Sequence, residues 1–174
     1  MSVEIRAECE KVYAVISDLR RKAMLNPNVQ VIRIELEGGE PVREGSVFYH
    51  RLQKGTRIFE YRSRCVRIAS PRLFESRSET DPPFEVRVTL QPTPAGCRLT
   101  QEECLEITPA LLDVAEPLFE AERRREDFFH ILAWIPTLRY LQSELRIRQH
   151  ERLAKRLTGE LQAWLDAIKA HLEA

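Results

Sequence analysis

The stretch 29–108 decides most of what this chain can fold into. Along it apolar and polar residues alternate in short runs, each closed by turn chemistry. Alternation with a period of two puts the apolar side chains of a strand on one face and the polar ones on the other. In 29–37, Ile32, Ile34 and Leu36 fall on one side and Arg33, Glu35 and Glu37 on the other. Further strands are predicted over 46–53, 57–68, 73–80, 84–90 and 97–107. The breaks are Gly38-Gly39-Glu40-Pro41, Lys54-Gly55, Ser70-Pro71, Asp81-Pro82-Pro83 and Pro92-Thr93-Pro94-Ala95-Gly96, all turn-forming combinations. Val3, Ile5 and Ala7 alternate with Glu4 and Arg6 in a short first strand, which makes seven in antiparallel meander order after one helical interruption.

Strands with one apolar side need a cover, and the chain supplies one at its end. Over 157–172, Leu157, Leu161, Trp164, Leu165, Ile168 and Leu172 recur at intervals of three and four, one face of a 3.6-period helix. The expected architecture is α+β: a curved antiparallel sheet of about seven strands wrapped around a long C-terminal helix. A cavity is expected between the two, an apolar pocket of a few hundred Å3 by the usual range for ligand sites.

Before the sheet, Val12, Ile16 and Leu19 form an apolar stripe with Tyr13 beside it, which predicts one helix or two short ones over 8–25, ended by Asn26-Pro27-Asn28. After Thr108-Pro109 the chain turns helical. Leu111, Leu112, Ala115, Leu118 and Phe119 begin a segment that Pro136 must kink or end. A second segment, about 137–156, turns Leu138, Leu141, Leu145 and Leu153 inward, with Arg148, Arg152 and Arg156 as a stripe that reads as a solvated face. Thr158-Gly159 either caps the last helix or lies inside a continuous one at a cost of about 1 kcal/mol. Phe128, Phe129, Ile131, Leu132, Trp134 and Ile135 are too apolar all round to face water, so either the domain or a two-fold mate is expected to cover them.

A length of 174 residues suits a single domain, divided here into 1–108 (strand, helices and sheet), a helical insertion 109–156 and a closing helix 157–174. Lys+Arg and Asp+Glu number 27 each, so no net positive field recruits nucleic acid or an anionic membrane. The opening Met1-Ser2-Val3-Glu4-Ile5-Arg6 lacks the features of a signal peptide, and no run reaches the ~18 apolar residues of a membrane span, so a cytoplasmic location is expected. Cys9, Cys65, Cys97 and Cys104 show no metal-site spacing and read as free thiols.

The residues also carry a resemblance. Cys9-Glu10-Lys11-Val12-Tyr13-Ala14-Val15-Ile16-Ser17-Asp18-Leu19, the turn Pro41-Val42-Arg43-Glu44-Gly45-Ser46, the hairpin from Leu90 to Thr100 and the ending Trp164-Leu165-Asp166-Ala167-Ile168-Lys169 resemble the polyketide cyclase/dehydrase and lipid-transport branch of the START-like superfamily. That resemblance implies the helix-grip fold and an internal apolar cavity for a lipid, polyketide or other hydrophobic small molecule. The segment 108–156 is longer than the link usual in such proteins. Three roles are open to it: covering the cavity mouth, packing against a second subunit, or serving as the gripped helix itself.

His50, His130, His150 and His171 show no metal-ligand spacing, and there is no phosphate loop or G-x-S-x-G elbow. No cofactor or metal is therefore expected, and strand parity is the remaining guide. If Phe48 and Leu52 point inward, so does His50; with Phe74 go Ser76 and Ser78; on the fourth strand the uncharged set Phe59, Tyr61, Ser63 and Cys65 is inner. Val86 and Val88 belong to the inner face of the sixth strand, and Leu99, Gln101 and Glu103 to that of the last. From the closing helix Leu161, Trp164, Leu165 and Ile168 complete the expected ligand-binding set. His50 and Glu103 are the candidates for catalysis. The bland alternative is that His50, Gln101 and Glu103 satisfy one another or a buried water, or that a bulge shifts the register. Three functions are weighed: a carrier or sensor of a hydrophobic molecule, a cyclase or dehydratase acting on a bound carbonyl compound, and an interaction module using the helical insertion.

Overall fold

The structure, a computed structural model, describes residues 1–80, 83–105 and 136–174. Strand β1 (Ser2–Ile5) leads into two short helices, α1 (Cys9–Ser17) and α2 (Leu19–Met24). Six strands follow: β2 (Gln30–Glu37), β3 (Val47–Lys54), β4 (Arg57–Ala69), β5 (Leu73–Ser78), β6 (Phe84–Thr93) and β7 (Gly96–Leu105). Helix α3 (Pro136–Glu173) closes the chain. All seven strands form one antiparallel sheet in the order β1-β7-β6-β5-β4-β3-β2. The first and last strands are therefore neighbours, and β1 and β2 form the two edges of the sheet.

The first helical region is two helices because Asp18 breaks and restarts it. Its backbone is extended, and its Oδ1 accepts from the Arg21 amide at 3.0 Å, capping α2. The β3–β4 hairpin closes on Gly55 at φ +60° with Lys54 opposite Arg57, a left-handed position that glycine adopts without a steric penalty. On the outer face ion pairs form between directly opposed residues: Glu75 with Arg87 at 2.5 Å and Arg77 with Glu85 at 2.6 Å.

The core lies on the concave face. Ile5, Val12, Ile16, Phe74, Val88, Leu99, Leu165 and Ile168 are among its fully buried members, drawn from strands, α1 and α3. The gripped element is the C-terminal half of α3, where Leu161, Trp164 and Leu172 also pack against this core. Thr158-Gly159 does not interrupt α3, which runs through the expected 156/157 boundary. The apolar run from Phe128 to Ile135, on which the dimer expectation rests, lies outside the described residues.

Two expectations are corrected. Ile32 is exposed, because a bulge between Val31 and Arg33 makes it the extra residue and gives Val31 its inward place opposite Leu52. Cys9 and Cys97 are not free: they form a disulfide, their Cα atoms 5.2 Å apart, which ties the start of α1 to β7. Cys65 and Cys104 remain thiols, and burial pushes the Cys65 thiol up to about 11, leaving it protonated and inert at neutral pH.

Candidate functional site

Five strands and two helices enclose a cavity of about 340 Å3. The sheet contributes Leu52 from β3, Phe59 and Tyr61 from β4, Phe74 from β5, Phe84 and Val86 from β6, and Leu105 from β7. Opposite them stand Leu19 and Ala23 of α2 and Leu157 and Trp164 of α3. Tyr61 organises the aromatic wall: its ring lies flat against His50 with centroids 4.4 Å apart and meets Phe84 edge-on at 5.2 Å, both favoured arrangements.

Polar groups enter this apolar space at a few points. His50 is 5% exposed, and its Nε2 shares a hydrogen bond with Ser63 Oγ at 2.8 Å. Burial lowers its pKa to about 4, so at neutral pH the ring is uncharged. Gln101, 1% exposed, donates from Nε2 to Glu103 Oε1 at 2.6 Å. His50 Nδ1 and Gln101 Oε1 are buried without a hydrogen-bond partner among the described residues, an unfavourable state that a ligand donor would relieve. The Tyr61 phenol is raised by burial and then by the Glu103 carboxylate.

Sequence parity missed the most unusual of these groups. Lys22 is 4% exposed and lines the cavity from α2. Its Nζ lies over the Trp164 ring, 4.9 Å from the centroid, while Trp164 Nε1 donates to the Lys22 carbonyl at 2.9 Å. Burial lowers its pKa to about 8, with the Glu103 carboxylate opposing the shift. Leu19, Lys22, Ala23 and Asn26 stand at helical spacing, so the signal was there; a lysine on that stripe simply reads as solvated.

Of the expected site residues, His50, Phe59, Tyr61, Phe74, Ser76, Val86, Gln101, Glu103 and Trp164 line this cavity. Val88, Leu99, Leu161, Leu165 and Ile168 belong to the packed core instead. Phe48 lines a second hollow with Tyr13, Ile34, Leu36 and Val42, and Phe74 borders both hollows. Glu103 requires a correction: it keeps its inner-face parity and borders the cavity, but it is exposed rather than buried. Among the described residues no hydrogen bond joins it to His50.

Comparison with known proteins agrees with this construction. The sequence profile of the family described as polyketide cyclase / dehydrase and lipid transport matches residues 1–133. No functionally curated protein matches the sequence. Among solved structures, protein CV1439 from Chromobacterium violaceum is similar with a TM-score of 0.62 at 13% identity, covering 100% of this chain and 96% of that one. The Polyketide_cyc-like protein Cgl2372 from Corynebacterium glutamicum gives 0.55 at 23% identity, over 99% and 89%. The di-domain ARO/CYC BexL from the BE-7585A biosynthetic pathway gives 0.64 at 19% identity, over 100% of this chain and 49% of that one. At these identities the likeness is one of fold: a helix grip.

Proposed function

Because this chain belongs to the polyketide cyclase / dehydrase and lipid transport family, we propose that it binds a compact hydrophobic small molecule between sheet and helix, as a carrier or sensor. The observation that carries this reading is the cavity itself: about 340 Å3, walled by side chains of Leu, Phe, Tyr, Val and Trp, with a few buried polar groups set among them. That is the composition of a small-molecule site, in which apolar walls supply affinity and sparse polar groups fix orientation. The volume lies near the lower end of the usual range of about 300–1,000 Å3, so the ligand is a small ring system or a short chain.

Binding without turnover is favoured over the cyclase or dehydratase reading by the state of the two candidate catalysts. A general base works best with a pKa near the operating pH, and burial holds His50 far below it. Glu103 is exposed and accepts a hydrogen bond from Gln101 rather than from His50. Self-association through 109–156 and a cytoplasmic location stay within this proposal; a monomer in light scattering at high concentration would remove the first.

The test is binding of N-phenyl-1-naphthylamine, a neutral dye that fluoresces in apolar surroundings. The protein should bind it with saturation. Val86→Trp, which fills the cavity from β6, should abolish binding while the circular dichroism stays that of the parent. A folded parent that leaves the dye dark, or a folded variant that binds it unchanged, would overturn the proposal.

A further inference from the structure

Lys22 presents a problem that apolar binding alone does not solve. An ammonium group that is taken out of water without a counter-charge is expensive, and buried lysines are normally paired. Here the side chain is 4% exposed, yet no salt bridge reaches its Nζ among the described residues. The Trp164 ring beneath it offers a cation–π contact at 4.9 Å, which offsets part of the lost hydration and leaves the three donors of the ammonium free to bond elsewhere. The position is fixed from both sides. The Lys22 carbonyl is held by Trp164 Nε1, and the residue sits in the last turn of α2, where the helix carbonyls favour a cation.

The other ionisable groups facing this space do not supply the missing charge. On β3, His50 is neutral. On β4, Tyr61 is a phenol held protonated by burial, and Glu60 is turned to Arg51, 3.2 Å away. On β7, Glu103 lines the same cavity and its carboxylate favours the charged form of Lys22, but no salt bridge joins the two among the described residues, and Glu103 accepts a hydrogen bond from Gln101. The charged pair on β2, Arg33 and Glu35, is closed on itself on the outer face at 2.6 Å. Lys22 is therefore the one cation among the described residues that line the cavity.

Resting on the cavity-binding reading above, we infer that the ligand is an apolar carboxylate, its acid group seated on Lys22 Nζ and its hydrocarbon body against the aromatic wall of Tyr61 and Phe84. A carboxylate fits the site better than an alcohol or a ketone because it brings the charge that Lys22 lacks and accepts short, charge-assisted hydrogen bonds. Lys22 is thus the specificity determinant for an anionic head.

The experiment displaces N-phenyl-1-naphthylamine with two molecules of the same shape, 2-naphthoate and 2-naphthamide. At neutral pH the parent protein should prefer the acid by roughly ten- to a hundredfold, the range of a charge-assisted hydrogen bond. Lys22→Met, which keeps the length of the stem and removes the charge, should still bind the dye and lose the preference. Raising the pH of the parent from neutral to above 10.5, past the ordinary lysine value, should weaken 2-naphthoate and leave 2-naphthamide unchanged. If the parent binds no dye, the cavity reading fails and this inference fails with it. Where the dye binds but the acid has no advantage, or the advantage survives Lys22→Met, the cavity reading stands and the role of Lys22 is overturned. Should Lys22→Met not fold, a flat pH profile for 2-naphthoate in the parent overturns it equally.

Discussion

His50 and Lys22 make the folded state sensitive to pH at two ends of the scale, and with the same sign. His50 ionises at about 4 in the folded chain against 6.5 in an unfolded one. Between those values the unfolded chain binds more protons, so stability is fully present above pH 6.5 and is lost as pH falls toward 4. The loss amounts to roughly 3 kcal/mol at the bottom of that window. Lys22, lowered to about 8 from 10.5, also binds fewer protons when folded, so its contribution rises with pH between those values. His50→Gln retains a hydrogen-bonding partner for Ser63 and removes the titration. Melting curves from pH 7 to 4 should therefore fall less steeply for the variant than for the parent. Equal slopes would mean that the imidazole is not held neutral.

At the scale of elements, two glycines mark opposite demands. Gly159 lies inside α3, and a Cβ built on it meets nothing within 4 Å. A helix-interior glycine carries backbone entropy that alanine does not, so Gly159→Ala should raise stability by about 0.5–1 kcal/mol. Gly96 begins β7 at φ +142°, where a Cβ would come 2.2 Å from the Ile5 carbonyl oxygen and 2.9 Å from the Ala7 amide. Those contacts are with backbone, which cannot swing aside, so Gly96→Ala should force β1 away from β7 and cost several kcal/mol. Thermal melts of the pair decide it: a destabilised Gly159→Ala or a tolerated Gly96→Ala would show that α3 or the β1–β7 seam differs from this description.

Across the whole molecule, the two ends of the chain are fastened to each other and to the sheet. The Arg6 amide donates to Glu173 Oε1 at 2.8 Å, and Lys169 bonds the Glu4 carbonyl, holding the end of α3 on β1. The Cys9–Cys97 disulfide adds a covalent tie between residues 88 apart in sequence. Constraining a long loop of the unfolded chain is worth about 2–5 kcal/mol. Thiol titration of the denatured, unreduced protein should find two reactive cysteines, and reduction should lower the melting temperature. Four thiols in protein purified without reductant would show that the pair stays reduced, as is usual in the cytosol.

What the sequence determined by itself was which side of each strand is apolar, and with it the need for a covering helix. Side-chain alternation is a local property, so Phe48, His50 and Leu52 on β3, Phe74, Ser76 and Ser78 on β5, and Leu99 and Gln101 on β7 are all buried as parity requires. The apolar spacing from Leu161 to Leu172 likewise marked the gripped face of α3. Depth and distance were decided elsewhere. Parity gives a face but not how far along a strand the core extends, so Glu103 has the right face and an exposed position. A bulge inserts one residue to relieve sheet curvature, which only neighbouring strands impose, and it sent Ile32 outward. Cys9 meets Cys97, and Lys22 is buried over the Trp164 ring, because separate segments converge in three dimensions. Local spacing carries no information about such meetings; they exist only once the sheet has closed on its helix.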